Sequence, residues 1–113
     1  KILSWAKKNK VKLIVTTKPD EAVKGSDCVM TDKWVSMNDK VNKKAKKKIL
    51  KPFQVNKKLM SKANSDAIFM HCLPVGRGEE VTDEVIDGKQ SVVWRQALNR
   101  VHAQKSIIKW CLD

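Results

Sequence analysis

Apolar segments with strand character alternate with segments of helical spacing along the chain. The strand-like segments are residues 11–17, 27–31, 67–72 and 91–94, and the first of them is the β-branched run VKLIVTT. Strands that alternate with helices predict a parallel sheet with helices on both faces. We therefore expect an α/β fold with three layers, in which residues 1–113 form a single domain.

Helices are predicted where apolar spacing coincides with typical start and stop residues. Pro19 followed by two acidic residues marks one helix start, because proline and acidic side chains favour the first turn. Gly25 ends that helix, and Asp87 with Gly88 ends a later one. The other predicted helices cover residues 2–8, part of the lysine-rich run at 40–62, a piece around 56–63, residues 82–86 and residues 96–112.

The formal charge of +12 comes mainly from one segment. Residues 40–62 contain ten lysines and no acidic residue, so the rest of the chain nets only +2. Within this run Val41, Ala45, Ile49 and Phe53 recur every four residues, which predicts a solvated amphipathic helix. Nonspecific polyanion binding by the same lysines stays open as the alternative.

The amino-acid composition argues against several kinds of partner and site, namely nucleic acids, membranes and metals. Only three of the 24 basic residues are Arg and tyrosine is absent, which argues against nucleic-acid recognition. The longest apolar runs are a few residues, too short to cross a bilayer. Three cysteines without a C-x-x-C pair argue against a disulfide framework or a metal site and favour a reducing compartment such as the cytoplasm.

Candidate chemistry lies just after the predicted strands, because ligands of open α/β sheets bind outside the carboxyl ends of the strands. Asp32 and Ser36 follow the second strand, where they serve either to bind an ammonium group or to cap a helix. His71 and Cys72 end the third strand as a reactive pair or as packing residues. Arg100 enters the last helix, either as an anion ligand or as an ordinary surface residue.

Together these segments resemble the ornithine-binding half of ornithine carbamoyltransferases. The resemblance covers essentially the whole chain, in order, and its most specific parts are the Asp-x-x-x-Ser-Met and His-Cys-Leu-Pro motifs. The matching segments are AVKGSD at 22–27, TDKWVSM at 31–37, FMHCLP at 69–74, EVTDEV at 80–85 and QALNR at 96–100. An incomplete Rossmann-like domain is the fold that this resemblance implies.

The resemblance also implies a reaction and a set of roles. The carbamoyl group of carbamoyl phosphate passes to the δ-amino group of ornithine, giving citrulline and phosphate, without a metal or cofactor. By this likeness Asp32, Ser36 and Met37 bind ornithine, and Cys72 holds the side-chain amine and accepts its proton. The residues implied for carbamoyl phosphate are His71, Cys72, Leu73 and Arg100, with Arg100 polarising the carbamoyl oxygen.

The chain departs from the family pattern at two places. Asn38 stands where family members usually have glycine, and Leu98 replaces a common glutamate beside Asn99 and Arg100. The Ser-x-Arg-Thr-Arg phosphate-binding motif and the carbamoyl-phosphate domain, which forms the family's homotrimer contacts, are absent from these 113 residues. We therefore expect a partial domain that has no turnover alone. Self-association through an exposed sheet edge stays open as a further alternative.

Overall fold

The computed structural model describes residues 1–36 and 42–113. Six helices, one 3-10 turn and two strands are found in these ranges. The elements are α1 (Ile2–Lys8), α2 (Pro19–Val23), β1 (Cys28–Thr31), α3 (Lys43–Leu50), the 3-10 turn Lys51–Phe53, α4 (Lys57–Met60), β2 (Ile68–His71), α5 (Asp83–Ile86) and α6 (Val93–Leu112).

The sheet consists of β1 and β2, which pair in parallel. Thr31 is the register partner of His71, and Val29 is the partner of Phe69. A crossover containing α3 and α4 joins the two strands, as parallel pairing requires. The predicted α/β class with a parallel sheet is confirmed, in the form of a partial domain.

The hydrophobic core lies against one face of this strand pair. Val29 and Phe69 point toward it, and Phe69 has no exposed surface. Met30, the next residue of β1, points to the opposite face and is 55% exposed. The buried members of the core are Val23, Val29, Val55, Leu59, Met60, Phe69, Val81, Val85, Ile86 and Val93.

The prediction of a buried strand at residues 11–17 is wrong. Ile14 is 69% and Val15 is 77% exposed, and the segment joins no ladder among the described residues. An apolar, β-branched run becomes a strand only when another strand supplies partners for its backbone N–H and C=O groups. Local propensity therefore misled the prediction here.

The strand predicted at residues 91–94 is also wrong in extent. Ser91 forms one parallel bridge with Phe69, supported by a hydrogen bond from Val92 N–H to Phe69 O (3.0 Å). Helix α6 then begins at Val93, three residues before its predicted start. The segment therefore lies beside β2, where a third strand would pair, but among the described residues it forms only the one bridge with it.

The described part of the lysine-rich run, residues 42–62, forms two short helices, and Val41 lies outside the described residues. Asn42 caps α3, since its side-chain oxygen accepts hydrogen bonds from the N–H groups of Lys44 and Ala45. Pro52 lies in the 3-10 turn that ends this helix, and Asn56 caps α4. The four-residue spacing therefore stops being helical before Phe53. In the part of the chain described, no helix combines the length and apolar character that a membrane crossing needs.

Candidate functional site at the carboxyl edge of the sheet

Asp32 and Cys72 leave neighbouring strands at the same edge of the sheet. Each follows one member of the terminal register pair Thr31 and His71. Adjacent strands lie about 4.8 Å apart, so the two backbones diverge from almost the same place. Parallel pairing therefore brings together residues that lie 40 positions apart in the sequence.

Cys72 and Arg100 line one concavity. The cavity measures about 480 Å³ and is bounded by the end of β2 and the first turns of α6. Both side chains are exposed toward solvent. Its lining residues are His71, Cys72, Leu73, Gln96, Ala97 and Arg100. The structure thus collects the predicted residues of the third and fourth strand ends in a single place.

Gln96 is a member of this cavity that the sequence reasoning did not single out. Its side-chain oxygen accepts a hydrogen bond from the backbone N–H of His71 (3.1 Å), and its Nε2 lies 4.0 Å from Cys72 Sγ. One side chain of α6 therefore contacts both residues at the end of β2. Gln96 is the first residue of the QALNR segment at 96–100, and its place in the family likeness is the signal that could have singled it out.

His71 lies behind the cavity surface and is 1% exposed. Its Nδ1 is 2.7 Å from the hydroxyl oxygen of Thr31, its register partner on β1. The other ring nitrogen, Nε2, is buried and has no hydrogen-bond partner among the described residues. Consecutive strand residues face opposite sides, which is why His71 is buried while Cys72 is exposed.

The ornithine-binding candidates lie beside this cavity. Asp32 is exposed, its Oδ1 accepts a hydrogen bond from Lys33 N–H (2.7 Å), and it lines a second cavity of about 310 Å³. Ser36 is exposed near the end of the first described range, and Met37 lies outside the described residues. The structure therefore places Asp32 at the sheet edge but assigns it to a different concavity from Cys72.

Glu80 is the second residue that sequence reasoning missed. Its side chain has no exposed surface and accepts hydrogen bonds from Trp34 N–H (3.0 Å) and Gly76 N–H (2.6 Å). Lys33 Nζ is 3.1 Å from the same carboxylate. Burial raises the pKa of Glu80, but the hydrogen bonds from Trp34, Lys33 and Gly76 outweigh burial and lower it.

Nothing in the described ranges indicates a metal. No three His, Cys, Asp or Glu side chains there form a group suited to an ion, and Cys28, Cys72 and Cys111 are free thiols. The chemistry that this edge offers consists of a thiol, a guanidinium and a carboxylate on three neighbouring segments.

Comparison with known proteins gives the chain its family. The family described as "Aspartate/ornithine carbamoyltransferase, Asp/Orn binding domain" matches residues 1–111. An ornithine carbamoyltransferase from Rhodopseudomonas palustris is 61% identical over 108 residues, which are 96% of this chain and 34% of that protein. The chain thus spans about a third of the length of the curated relatives that it matches.

Solved structures agree with the sequence comparison. Ornithine carbamoyltransferase from Pyrococcus furiosus is 46% identical with a TM-score of 0.83, over 95% of this chain and 36% of that one. Anabolic ornithine carbamoyltransferase from Campylobacter jejuni is 37% identical with a TM-score of 0.87, over 96% and 36% respectively. These matches do not favour the alternative of a polyanion-binding module. The chain belongs to the aspartate/ornithine carbamoyltransferase family, and it matches the family's Asp/Orn-binding domain.

Proposed function

We propose that the chain is the ornithine-binding part of an ornithine carbamoyltransferase. The observation that carries the proposal is the meeting of Cys72 and Arg100 in one cavity, at the sheet edge where Asp32 leaves the neighbouring strand. The high identity to proteins named ornithine carbamoyltransferase supports ornithine as the acceptor rather than aspartate.

The proposed reaction requires a neutral amine next to an activated carbonyl. An alkyl ammonium has a pKa of about 10.4, so binding must remove a proton before attack. In our proposal Cys72, as a thiolate, holds the δ-ammonium group and accepts this proton, becoming a thiol. The amine nitrogen forms a bond to the carbamoyl carbon, and the bond from that carbon to the phosphate oxygen breaks. Phosphate leaves with the electron pair and takes up the second proton that the nitrogen loses.

The remaining residues have binding roles in the proposal. Arg100 stabilises negative charge on the carbamoyl oxygen as the carbonyl is attacked, because a fixed cation is most effective where charge develops. His71 and Leu73 contact carbamoyl phosphate together with Cys72. Asp32 and Ser36 bind ornithine, as does Met37 by the family likeness.

The proposal extends to the pathway, the cellular compartment and the oligomeric state of the enzyme. The name of the anabolic Campylobacter jejuni relative supports a place in arginine biosynthesis, where citrulline is the product. A catabolic direction would use the same residues. We further propose a cytoplasmic homotrimer, supported by the family likeness and the free cysteines.

A chimera tests the proposed function. Residues 1–113 replace the matching third of the Rhodopseudomonas palustris relative, and citrulline formation is measured with ornithine, aspartate and putrescine as acceptors. We expect turnover with ornithine and strong loss on Cys72→Ala or Arg100→Ala. Leu98→Ala, an exposed change on the same helix, is the matched control.

Three results would contradict the proposal. One is a folded chimera without carbamoyl transfer, and another is a preference for aspartate or putrescine over ornithine. A third is equal activity in the Cys72→Ala and Leu98→Ala variants. The 113-residue chain itself should give no citrulline, because it lacks the Ser-x-Arg-Thr-Arg motif.

A further inference from the structure

Glu80 connects the two segments on which the proposed ornithine site depends. One carboxylate oxygen accepts a hydrogen bond from Trp34 N–H, two residues after Asp32. The other accepts from Gly76 N–H, four residues after Cys72. We call these two hydrogen bonds, together with the Lys33 ion pair, the Glu80 bridge.

The Glu80 bridge is formed mainly by main-chain groups rather than by surface side chains. Both hydrogen-bond donors are main-chain N–H groups, and the carboxylate has no exposed surface. Hydrogen bonds to a buried charged group are stronger than those between neutral groups. The bridge therefore fixes the relative position of two loops that leave different strands.

Gly76 shows how closely the loop approaches the carboxylate. A Cβ atom at this position would lie 2.5 Å from Glu80 Oε2 and 2.6 Å from Lys33 Nζ. Contacts of that length cannot persist, so a side chain at position 76 would force the Glu80 carboxylate and the Lys33 ammonium group to shift away from the loop. The loop after Cys72 thus carries a residue suited to this contact.

A carboxylate is the group that this geometry requires. Two N–H donors face two different oxygens, and a carboxylate accepts at both. Glutamine has one oxygen and one NH₂ group, so one backbone donor would face another donor. The shape of the side chain would be kept while the bridge would be broken on one side.

We propose that Glu80 is a positioning residue that sets the spacing between Asp32 and Cys72 and thereby the affinity for ornithine. This inference rests on the proposed function. Glu80 touches neither the proposed amine site nor the cavity lined by Arg100, so it acts through the segments that it joins. Loss of the Glu80 bridge should therefore weaken ornithine binding more than it weakens the contacts of Cys72 and Leu73 with carbamoyl phosphate.

The kinetic test uses the chimera with Glu80→Gln. We expect the KM for ornithine to rise roughly tenfold or more, the effect of losing a hydrogen bond to a charged group. The KM for carbamoyl phosphate and kcat should change much less. Glu79→Gln is the matched control, since Glu79 carries the same charge next in sequence and pairs with Lys33 at 3.7 Å.

A second readout does not depend on activity. In the 113-residue chain, amide hydrogen exchange at Trp34 and Gly76 should become faster on Glu80→Gln, while Phe69 N–H, bonded to Gln90 O at 2.8 Å, keeps its protection. An inactive parent chimera would overturn the proposed function, whereas unchanged exchange at Trp34 and Gly76 would overturn the bridge. The two failures are therefore distinguishable.

Lys33→Met provides a milder variant if Glu80→Gln fails to fold. It removes the ion pair but keeps both backbone hydrogen bonds, so the KM for ornithine should rise by a smaller factor. An unchanged ornithine KM in both variants would contradict the positioning role. A rise in Glu79→Gln equal to that in Glu80→Gln would also contradict it, because the effect would then be one of charge alone.

Discussion

Glu80 illustrates how a single residue can link two loops that leave different strands. It is a buried charge whose cost of burial is offset by two backbone donors and a lysine. The sequence places Glu80, and not Glu79, in the EVTDEV segment of the family likeness, but it assigns this side chain no role. Its importance follows from burial, which only the folded chain provides.

The lowered pKa of Glu80 gives a dependence of stability on pH. A carboxylate with a depressed folded-state pKa stabilises the fold above its unfolded value of about 4.3, and that contribution is lost as the pH falls through the folded-state pKa. We expect the difference in free energy of unfolding between the wild type and Glu80→Gln to shrink below about pH 4. Urea titrations between pH 6 and 3 measure it.

Glu79→Gln serves as the control for this pH series. Its difference from the wild type should stay small throughout, because Glu79 is partly exposed and solvent screens its ion pairs. A Glu80→Gln difference that grows as the pH falls would contradict the assigned sign.

Gln96 is a second residue that supports the proposed site, because its side chain holds the end of β2 next to Cys72. Gln96→Leu leaves the His71 N–H without its acceptor, and an unsatisfied backbone donor costs about 1–3 kcal/mol. We expect a loss of that order in the free energy of unfolding, measured by urea denaturation. Gln104→Leu makes the same change at an exposed position of α6 and should stay within about 0.5 kcal/mol. Equal losses of unfolding free energy in the two variants would contradict a structural role for Gln96.

At the scale of elements, α3 shows how a lysine-rich helix begins. Its first turn carries Lys43 and Lys44 and no acidic residue, so the helix dipole is not compensated there. Asn42 satisfies two of the free N–H groups instead. Lysines spaced four apart, such as Lys43 and Lys47, also repel each other.

We expect Asn42→Ala to weaken α3 by about 1 kcal/mol. Added salt should partly restore helicity, because it screens the repulsion among the lysines. Circular dichroism at 222 nm with increasing NaCl measures both effects. Asn64→Ala is the control, since Asn64 contacts Asp27 outside any helix start. Helicity that falls with salt would contradict this account.

At the scale of the whole molecule, apolar surface remains uncovered. Ile14 and Val15 are exposed in a segment without ladder partners, and Trp110 and Leu112 are about 80% exposed on α6. Exposed apolar surface of this kind favours association. Among the described residues, no further strand or helix packs over this apolar surface.

We expect the 113-residue chain to self-associate at high concentration, as measured by light scattering. Val15→Lys should reduce the apparent mass, because a charge in an unpaired apolar segment opposes strand pairing. Lys12→Arg, which preserves charge in the same segment, should leave it unchanged. A monodisperse monomer over the whole concentration range would contradict this prediction.

The α/β class, the helix starts at Pro19 and near Asp83, and the candidate edge residues could be predicted from the sequence. Propensity, caps and the order of strands act locally, so spacing is enough to indicate them. The strand at residues 11–17 could not be judged in this way, because pairing depends on a neighbour. The same limit hid Gln96, whose hydrogen bonds cross from α6 to β2.

The sequence by itself determined the family, through the Asp-x-x-x-Ser-Met and His-Cys-Leu-Pro motifs, and it determined which residues carry reactive groups. Only the tertiary structure decided which of them meet. Parallel register put Asp32 beside Cys72, and the packing of α6 against β2 brought Arg100 to the same cavity as the thiol. Burial then turned Glu80 into a bridge, because a carboxylate removed from water must find its hydrogen-bond donors within the fold.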